Sequence, residues 1–176
     1  MKHAHIAAIT LSGLFVAPCV LAVASPSPSG QIKIHGEITG TTCRINDGDI
    51  DKTLQLPVVG ADLFEPLPIN SVYKSVSTQA TIAITCADYE GEDITLSFNS
   101  TNMDENGVII PSEGKGKGIG FQLAINDIMV DGYKKTYQIK PNNDIYMLPL
   151  TAYYYKLQDV KKGTISSVVT YTVTHN

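Results

Sequence analysis

The chain has 176 residues, a net charge of −4 and a sequence pI of about 5.5. Its 13 lysines and arginines are dispersed, so there is no basic patch of the kind that binds nucleic acid or an anionic membrane surface. The length is sufficient for one domain with a substantial core.

The first 24 residues have the pattern of a secretory signal. Lys2 supplies a positive charge, residues 6–21 are mostly apolar, and Ala22-Val23-Ala24 is a small-residue cleavage site. We therefore expect residues 1–24 to be removed and Ser25 to begin the mature chain. A membrane anchor is the alternative, but the apolar stretch is too short to cross a bilayer. Cys19 loosely resembles a lipoprotein site, and the proline before it argues against that interpretation.

Cleavage at this site leaves two cysteines, Cys43 and Cys86, and two histidines, His35 and His175. Two cysteines in an exported protein are most simply explained by a disulfide, and a pair of buried thiols is the alternative. Neither histidine has a neighbour at metal-ligand spacing in the sequence.

After a tail over residues 25–30 that has no apolar side chain larger than proline, short apolar–polar alternations follow one another along the chain. A period of two predicts strands with one face in a core and the other in water. The apolar positions are Ile32, Ile34 and Ile38; Ala80, Ile82, Ile84 and Cys86; Ile94, Leu96 and Phe98; Ile119, Phe121, Leu123 and Ile125; Leu148, Leu150, Ala152 and Tyr154; and Ile165, Val169, Tyr171 and Val173. Turn formers separate these runs at 46–48, 106–107, 114–118, 131–132 and 141–143. No helical period is sustained, so the sequence predicts an all-β Greek-key sandwich.

The residues offer little for catalysis, and we predict neither an enzyme nor a cofactor or metal site. Asp47, Asp49 and Asp51 begin like a calcium loop. However, Lys52 stands where such a loop needs glycine, and Val58 stands where it needs glutamate. A solvated acidic turn is the simpler interpretation.

A secreted glycan-binding module is the alternative function. Sugars usually stack on aromatic side chains, and the chain has nine tyrosines but no tryptophan. Tyr153, Tyr154 and Tyr155 are consecutive, so on a strand they alternate between faces and cannot form one platform.

Several motifs occur together in a recognisable order. The run 30–38 precedes the first cysteine, and the second cysteine closes an alternating strand. Gly118–Leu123 is a glycine-rich strand, Leu148–Tyr154 reads LPLTAYY, and an alternating strand runs from Gly163 to the end of the sequence. In these features the chain resembles the pilins of chaperone–usher fimbriae, the type 1 and P pilus group. His175 departs from the pattern, because these pilins usually have tyrosine second from the end.

The resemblance implies an immunoglobulin-like β-sandwich that lacks its final strand and is completed in trans by donor-strand complementation. Residues 25–38 would be the donor extension and 39–176 the pilin domain. The partners implied are neighbouring subunits, a periplasmic chaperone and an outer-membrane usher. The product would be a fimbria at the cell surface that supports adhesion, without membrane insertion. The donor positions are Gly30, Ile32, Ile34, Gly36 and Ile38, and the positions of the groove and chaperone-binding strand are Gly163, Ile165, Val169, Tyr171, Val173 and His175. Alternation alone leaves open that residues 32–38 are simply this domain's own first strand.

Overall fold

The computed structural model describes residues 29–39, 43–86, 93–98, 101–132, 136–140 and 145–174. The predictions for the signal segment 1–24, for residues 25–28 of the tail, for the turn at 141–143 and for His175 lie outside the described residues. Within the described part, the chain is all-β, as the alternating pattern predicted.

Twelve strands, together with one 3₁₀ helix at Ala61–Phe64, make up most of the described residues. The strands are β1 (Gly30–Thr39), β2 (Cys43–Ile45), β3 (Asp51–Leu56), β4 (Ser71–Cys86), β5 (Ile94–Phe98), β6 (Val108–Ile109), β7 (Glu113–Gly114), β8 (Lys117–Ile125), β9 (Ile128–Met129), β10 (Thr136–Ile139), β11 (Ile145–Lys161) and β12 (Ile165–Thr174).

The strands form two sheets that enclose one core. The first sheet has the order β10-β5-β12-β1-β3, with β7 also paired to β12. The second has the order β2-β4-β11-β8-β6, with β9 also paired to β8. The inward side chains of both sheets belong to one buried apolar cluster, which includes Leu96, Tyr171, Ile82 and Leu148. The fold is therefore a β-sandwich, in which period-two alternation supplies the side chains of the core.

The six predicted strands are present, and the structure adds others that sequence reasoning missed. β3 is the most important of these, because it pairs with β1 along Gly30–His35. Its inward residues Leu54 and Leu56 alternate with Thr53 and Gln55, and both leucines are buried. The alternation was available in the sequence but is only two apolar residues long.

The outer face of β8 also differs from the expectation that alternate residues face water. Gln122 and Ala124 are buried although they alternate with the core residues of this strand. The chain after β9 folds over this face, where the side-chain amide of Gln122 donates to the carbonyl of Val130. A polar residue at such a position is stable in the interior because its hydrogen bond is made within the protein.

The predicted disulfide is confirmed. Cys43 is bonded to Cys86, and the two residues are also directly opposite each other in the β2–β4 ladder. Because β2 follows β1 in the chain, the bond attaches the end of the N-terminal segment to the second sheet.

Candidate functional site

The N-terminal strand β1 fills a slot in the first sheet between β12 and β3. It runs parallel to β12 over its whole length, Gly30–Thr39, and antiparallel to β3 over Gly30–His35. Ile32 and Ile34 are 0% and 1% exposed. In this single chain, the segment predicted as a donor thus lies in the chain's own sheet. This is the arrangement that the alternative interpretation described, and it leaves donation to a neighbour untested.

Two glycines on the inward face of β1 lie directly over aromatic rings. A Cβ atom at Gly30 would be 2.6 Å from Cε1 of Tyr154, and one at Gly36 would be 2.1 Å from Cζ of Tyr171. Real side chains do not approach so closely, so both positions require a residue without a side chain. Ile32 and Ile34 fill the space between the two rings. The floor of the slot therefore lies close to β1 at the two tyrosine rings and is deeper between them, where the isoleucine side chains fit.

The outward face of β1 is polar. Lys33, His35 and Glu37 are exposed, and Nδ1 of His35 lies 2.6 Å from Oδ1 of Asp51 on β3. Both side chains of this pair are largely in solvent, so the pair contributes little to the stability of the fold. It shows that His35 and Asp51 lie opposite each other in the β1–β3 ladder.

β12 forms one wall of the slot. Ile165, Val169, Tyr171 and Val173 all point into the core and are at most 5% exposed. Gly163, just before the strand, has φ +155°, and a Cβ there would lie 2.3 Å from the backbone nitrogen of Gly116. This glycine is needed for the close approach of the two chain segments.

The hydroxyl of Tyr171 is buried and has no hydrogen-bond partner within the described part of the chain. Burial raises the pKa of Tyr171, and the negative charges of Asp49 and Asp51 raise it further. An unpaired buried hydroxyl lowers the stability of the fold by about 1–3 kcal/mol. When β1 lies in the slot, the Tyr171 hydroxyl therefore makes this end of the slot less stable than a fully hydrogen-bonded one.

An apolar pocket opens at the opposite end of the slot, next to the start of β1. Its lining includes Val59, Phe64, Ile119, Val160 and Ile165. Sequence reasoning did not identify this pocket, because its walls come from four separate parts of the chain.

A buried lysine holds one wall of this pocket in place. Nζ of Lys156, on β11, donates to the carbonyls of Phe64 and Leu67, each at 2.8 Å, and to that of Glu65 at 3.4 Å. These bonds fix the turn that follows the 3₁₀ helix, and with it the ring of Phe64. Lys156 is thus a positioning residue for the pocket.

One residue of the acidic turn is less solvated than the sequence suggested: Asp47 and Asp51 are exposed, but Asp49 is partly buried. The carboxylate of Asp49 accepts hydrogen bonds from Lys52 and from the backbone N–H of Ala83, the latter at 2.9 Å. Although burial acts to raise the pKa of Asp49, these bonds lower it below its ordinary value. Asp49 therefore attaches the β2–β3 turn to β4, which is a structural role.

Two features, a metal-binding cluster and a membrane-spanning helix, are absent from the described residues. Across these ranges, no three histidine, cysteine, aspartate or glutamate side chains lie close enough together to hold a metal ion. Nor does the described part contain a helix long and apolar enough to span a membrane.

Comparison with known proteins identifies the family. The model of the family described as "Fimbrial protein" matches residues 32–176. This span is most of the chain, so the chain belongs to the fimbrial protein family, whose members are subunits of cell-surface fimbriae. The match begins within β1 and therefore covers both the slot and most of the strand that fills it.

Two solved structures are similar to this chain at low sequence identity. One is the CupB6 tip adhesin from Pseudomonas aeruginosa, with 15% identity, a TM-score of 0.43, and coverage of 61% of this chain and 35% of that one. The chain therefore spans about a third of the adhesin's length. The other is an antigen and type I fimbria protein of Burkholderia pseudomallei, with 17% identity, a TM-score of 0.46, and coverage of 79% and 92%. No curated protein gives a significant match.

Proposed function

We propose that this fimbrial subunit polymerises head-to-tail by donor-strand exchange, in which residues 30–38 of one copy enter the slot between β3 and β12 of the next. A periplasmic chaperone would protect the slot before assembly, and an outer-membrane usher would receive the subunit. The polymer would be a surface fimbria that supports adhesion. The observation that carries the proposal is the apolar inward face of β1, whose two central isoleucines are buried in the slot.

A slot without β1 would explain why such a subunit needs a partner. Without β1, the edges of β3 and β12 would lose their hydrogen-bonding partner, and the core below would meet water. Exposed edges and large apolar patches both lead to aggregation. Each of Ile32 and Ile34 contributes about 1.5–3 kcal/mol on burial, so any strand that fills the slot with similar side chains gains affinity.

The apolar pocket supports an antiparallel direction for the donated strand. If a neighbour's segment ran antiparallel to β12 with Gly36 over Tyr154, Ile38 would extend two residues further, to the pocket end of the slot. There it would contact Phe64 and Ile165. In the single chain, Ile38 lies at the other end and is only partly buried. The reversed direction would therefore bury one more isoleucine.

Strand direction adds a smaller contribution. In the single chain the longer ladder of β1, with β12, is parallel, and the shorter one, with β3, is antiparallel. Reversal would make the longer ladder antiparallel, which is slightly more stable per residue.

The geometry of exchange gives a filament. A subunit that gives a strand at one surface and receives a strand at another makes a heterologous contact, and such contacts extend without closing.

The experiment is deletion of 25–34 in cells that also supply the chaperone. The truncated subunit is expected to accumulate in the periplasm, because the chaperone fills its slot, but it should not extend a fibre. Ladders that resist SDS and collapse on boiling would report fibre assembly.

A matched pair of point variants sharpens this test. Ile34→Asp would place a charge in the neighbour's core, where an unpaired charge is strongly unfavourable, and should abolish the ladder. Lys33→Asp changes the charge of the adjacent outward residue and should leave the ladder intact. If the deletion variant is degraded even with the chaperone present, residues 30–38 are an internal strand and the proposal is wrong.

A further inference from the structure

Four exposed lysines lie together at the end of the sandwich where β11 turns into β12, and we call them the lysine cluster: Lys115, Lys117, Lys161 and Lys162. In the ladder between β8 and β11, Lys161 is directly opposite Lys117. The backbone N–H of Lys115 donates to the carbonyl of Thr164 at 2.9 Å, which places Lys115 beside the turn that contains Lys162. Two members, Lys161 and Lys162, also line the pocket next to the start of β1.

The lysine cluster is an unfavourable arrangement within the single chain. Side chains directly opposite each other in an antiparallel ladder have Cβ atoms about 5 Å apart, so like charges there repel each other. Glu113 on β7 and Asp159 on β11 belong to the same region, but neither forms an ion pair with the cluster within the ranges that the structure describes. Four lysines against two carboxylates leave this end with an excess of positive charge, which an acidic partner would neutralise.

The opposite end of the sandwich carries an excess of carboxylates. Asp47 and Asp51 are exposed at the β2–β3 turn, and Glu37 is exposed on the end of β1 that lies beside this turn. Arg44 lies near Asp47, but the two form no ion pair within the described part of the chain. The hydrogen bonds of Asp49 hold the turn against β4, so the acidic surface has a fixed position on the subunit.

We propose that the lysine cluster is the docking surface for the acidic β2–β3 turn of a second copy of this chain. The inference rests on the proposed function, in which Ile38 of a donated segment reaches the pocket that the cluster borders. The folded part of the donor then begins a few residues further on, at Cys43, and the acidic turn directly follows β2. The turn of the donor and the cluster of the acceptor are therefore brought to the same junction with opposite charges.

A contact of this kind acts on the rate of assembly more than on the strength of the fibre. Exposed ion pairs add little stability, because water and salt screen them. Opposite charges on two approaching surfaces accelerate their encounter by about tenfold or more at low salt. The same charges disfavour contact between two acidic ends or two basic ends, so head-to-tail encounters are favoured over the others.

The variant Lys161→Glu separates the effect within the chain from the effect between chains. Within the chain, a carboxylate would lie opposite Lys117 and replace repulsion by attraction, so the urea midpoint of unfolding should not fall. Between chains, the variant weakens the attraction, so the rate of ladder formation at low salt should fall roughly three- to tenfold and depend less on salt. The matched control is Lys74→Glu, which makes the same charge change at an exposed residue in the bulged part of β4 and should leave the rate unchanged.

The complementary variant Asp47→Lys should slow assembly to a similar extent, and Glu105→Lys is its control at an exposed residue of another loop. A mixture of Lys161→Glu and Asp47→Lys chains gives the sharpest measurement. Each variant opposes like charges when it contacts its own kind, but each supplies the opposite charge that the other needs. With one variant isotopically labelled, native mass spectrometry of the first dimers should therefore show more mixed pairs than random association gives.

Equal rates for Lys161→Glu and Lys74→Glu at low salt would refute the docking surface. A slower Lys161→Glu chain whose mixture with Asp47→Lys shows no excess of mixed dimers would refute the turn as the partner and assign the cluster to another acidic surface. Both results would leave donor-strand exchange intact, because the unmodified chain would still form ladders. If the unmodified chain, taken from its chaperone complex, forms no ladders, the proposed function fails instead and the inference falls with it.

Discussion

Removal of the Cys43–Cys86 bond is expected to lower the free energy of unfolding by about 4 kcal/mol. The bonded cysteines are 43 residues apart. In the chain-entropy model, a loop of this length costs the unfolded state about 13 cal/mol/K, which is about 4 kcal/mol at room temperature. Small domains have total stabilities of about 5–15 kcal/mol, so the loss would be a large part of the whole.

The assay is equilibrium unfolding in urea of the native chain, the reduced chain and the double variant Cys43→Ala, Cys86→Ala. The reduced chain is the control for side-chain volume, because it keeps both sulfur atoms in the core, where Cys86 is fully buried. The reduced chain and the double variant should both be less stable than the native chain. The slope of the free energy of unfolding against urea concentration should also increase, because the unfolded chain without the bond is more expanded. A loss below about 1 kcal/mol in the reduced chain would refute the chain-entropy reasoning.

Three further predictions concern the slot. Gly36→Ala should lower the free energy of unfolding by about 1–3 kcal/mol in thermal or urea unfolding, because its Cβ would lie 2.1 Å from the Tyr171 ring. The control is Gly60→Ala, whose Cβ would meet only the flexible carboxylate of Asp62 and should change stability little. Equal effects of the two variants would contradict the close approach of Gly36 to Tyr171. Tyr171→Phe should raise stability in urea by about 1 kcal/mol by removing a buried hydroxyl that lacks a partner among the described residues, and a clear loss would mean that the hydroxyl is bonded. Burial raises the pKa of Tyr154 from 10.0 to about 12, against a smaller lowering effect of the Gly30 backbone, so the folded state holds this proton when the unfolded state has lost it. Stability should therefore fall as pH rises from 10 towards 12, and urea titrations across this range should show a shallower fall in Tyr154→Phe; identical slopes would refute the assignment.

Much of the fold could be predicted from the sequence, because its local patterns are long. β4, β8, β11 and β12 contain runs of alternating apolar residues, and their predicted inward residues are buried, except that Ala80 is only partly buried. In β8 the opposite face is buried as well. The disulfide was also predictable, since only two cysteines remain after the expected cleavage. β2 and β3 were missed because they are short, and the pocket beside β1 was missed because distant segments meet there.

What the sequence by itself determined is six of the strands, their inward residues and the pairing of Cys43 with Cys86. What only the tertiary structure decided is the partner and direction of each strand. Alternation specifies that the face of β1 with Ile32 and Ile34 is buried in a core. It does not specify whether that core belongs to the same chain or to a neighbour, or in which direction the strand runs, because burial of apolar area has no direction. The structure supplies the rings of Tyr154 and Tyr171 as the floor beneath β1, and their steric contact with Gly30 and Gly36 sets the register that hydrophobicity alone leaves undefined.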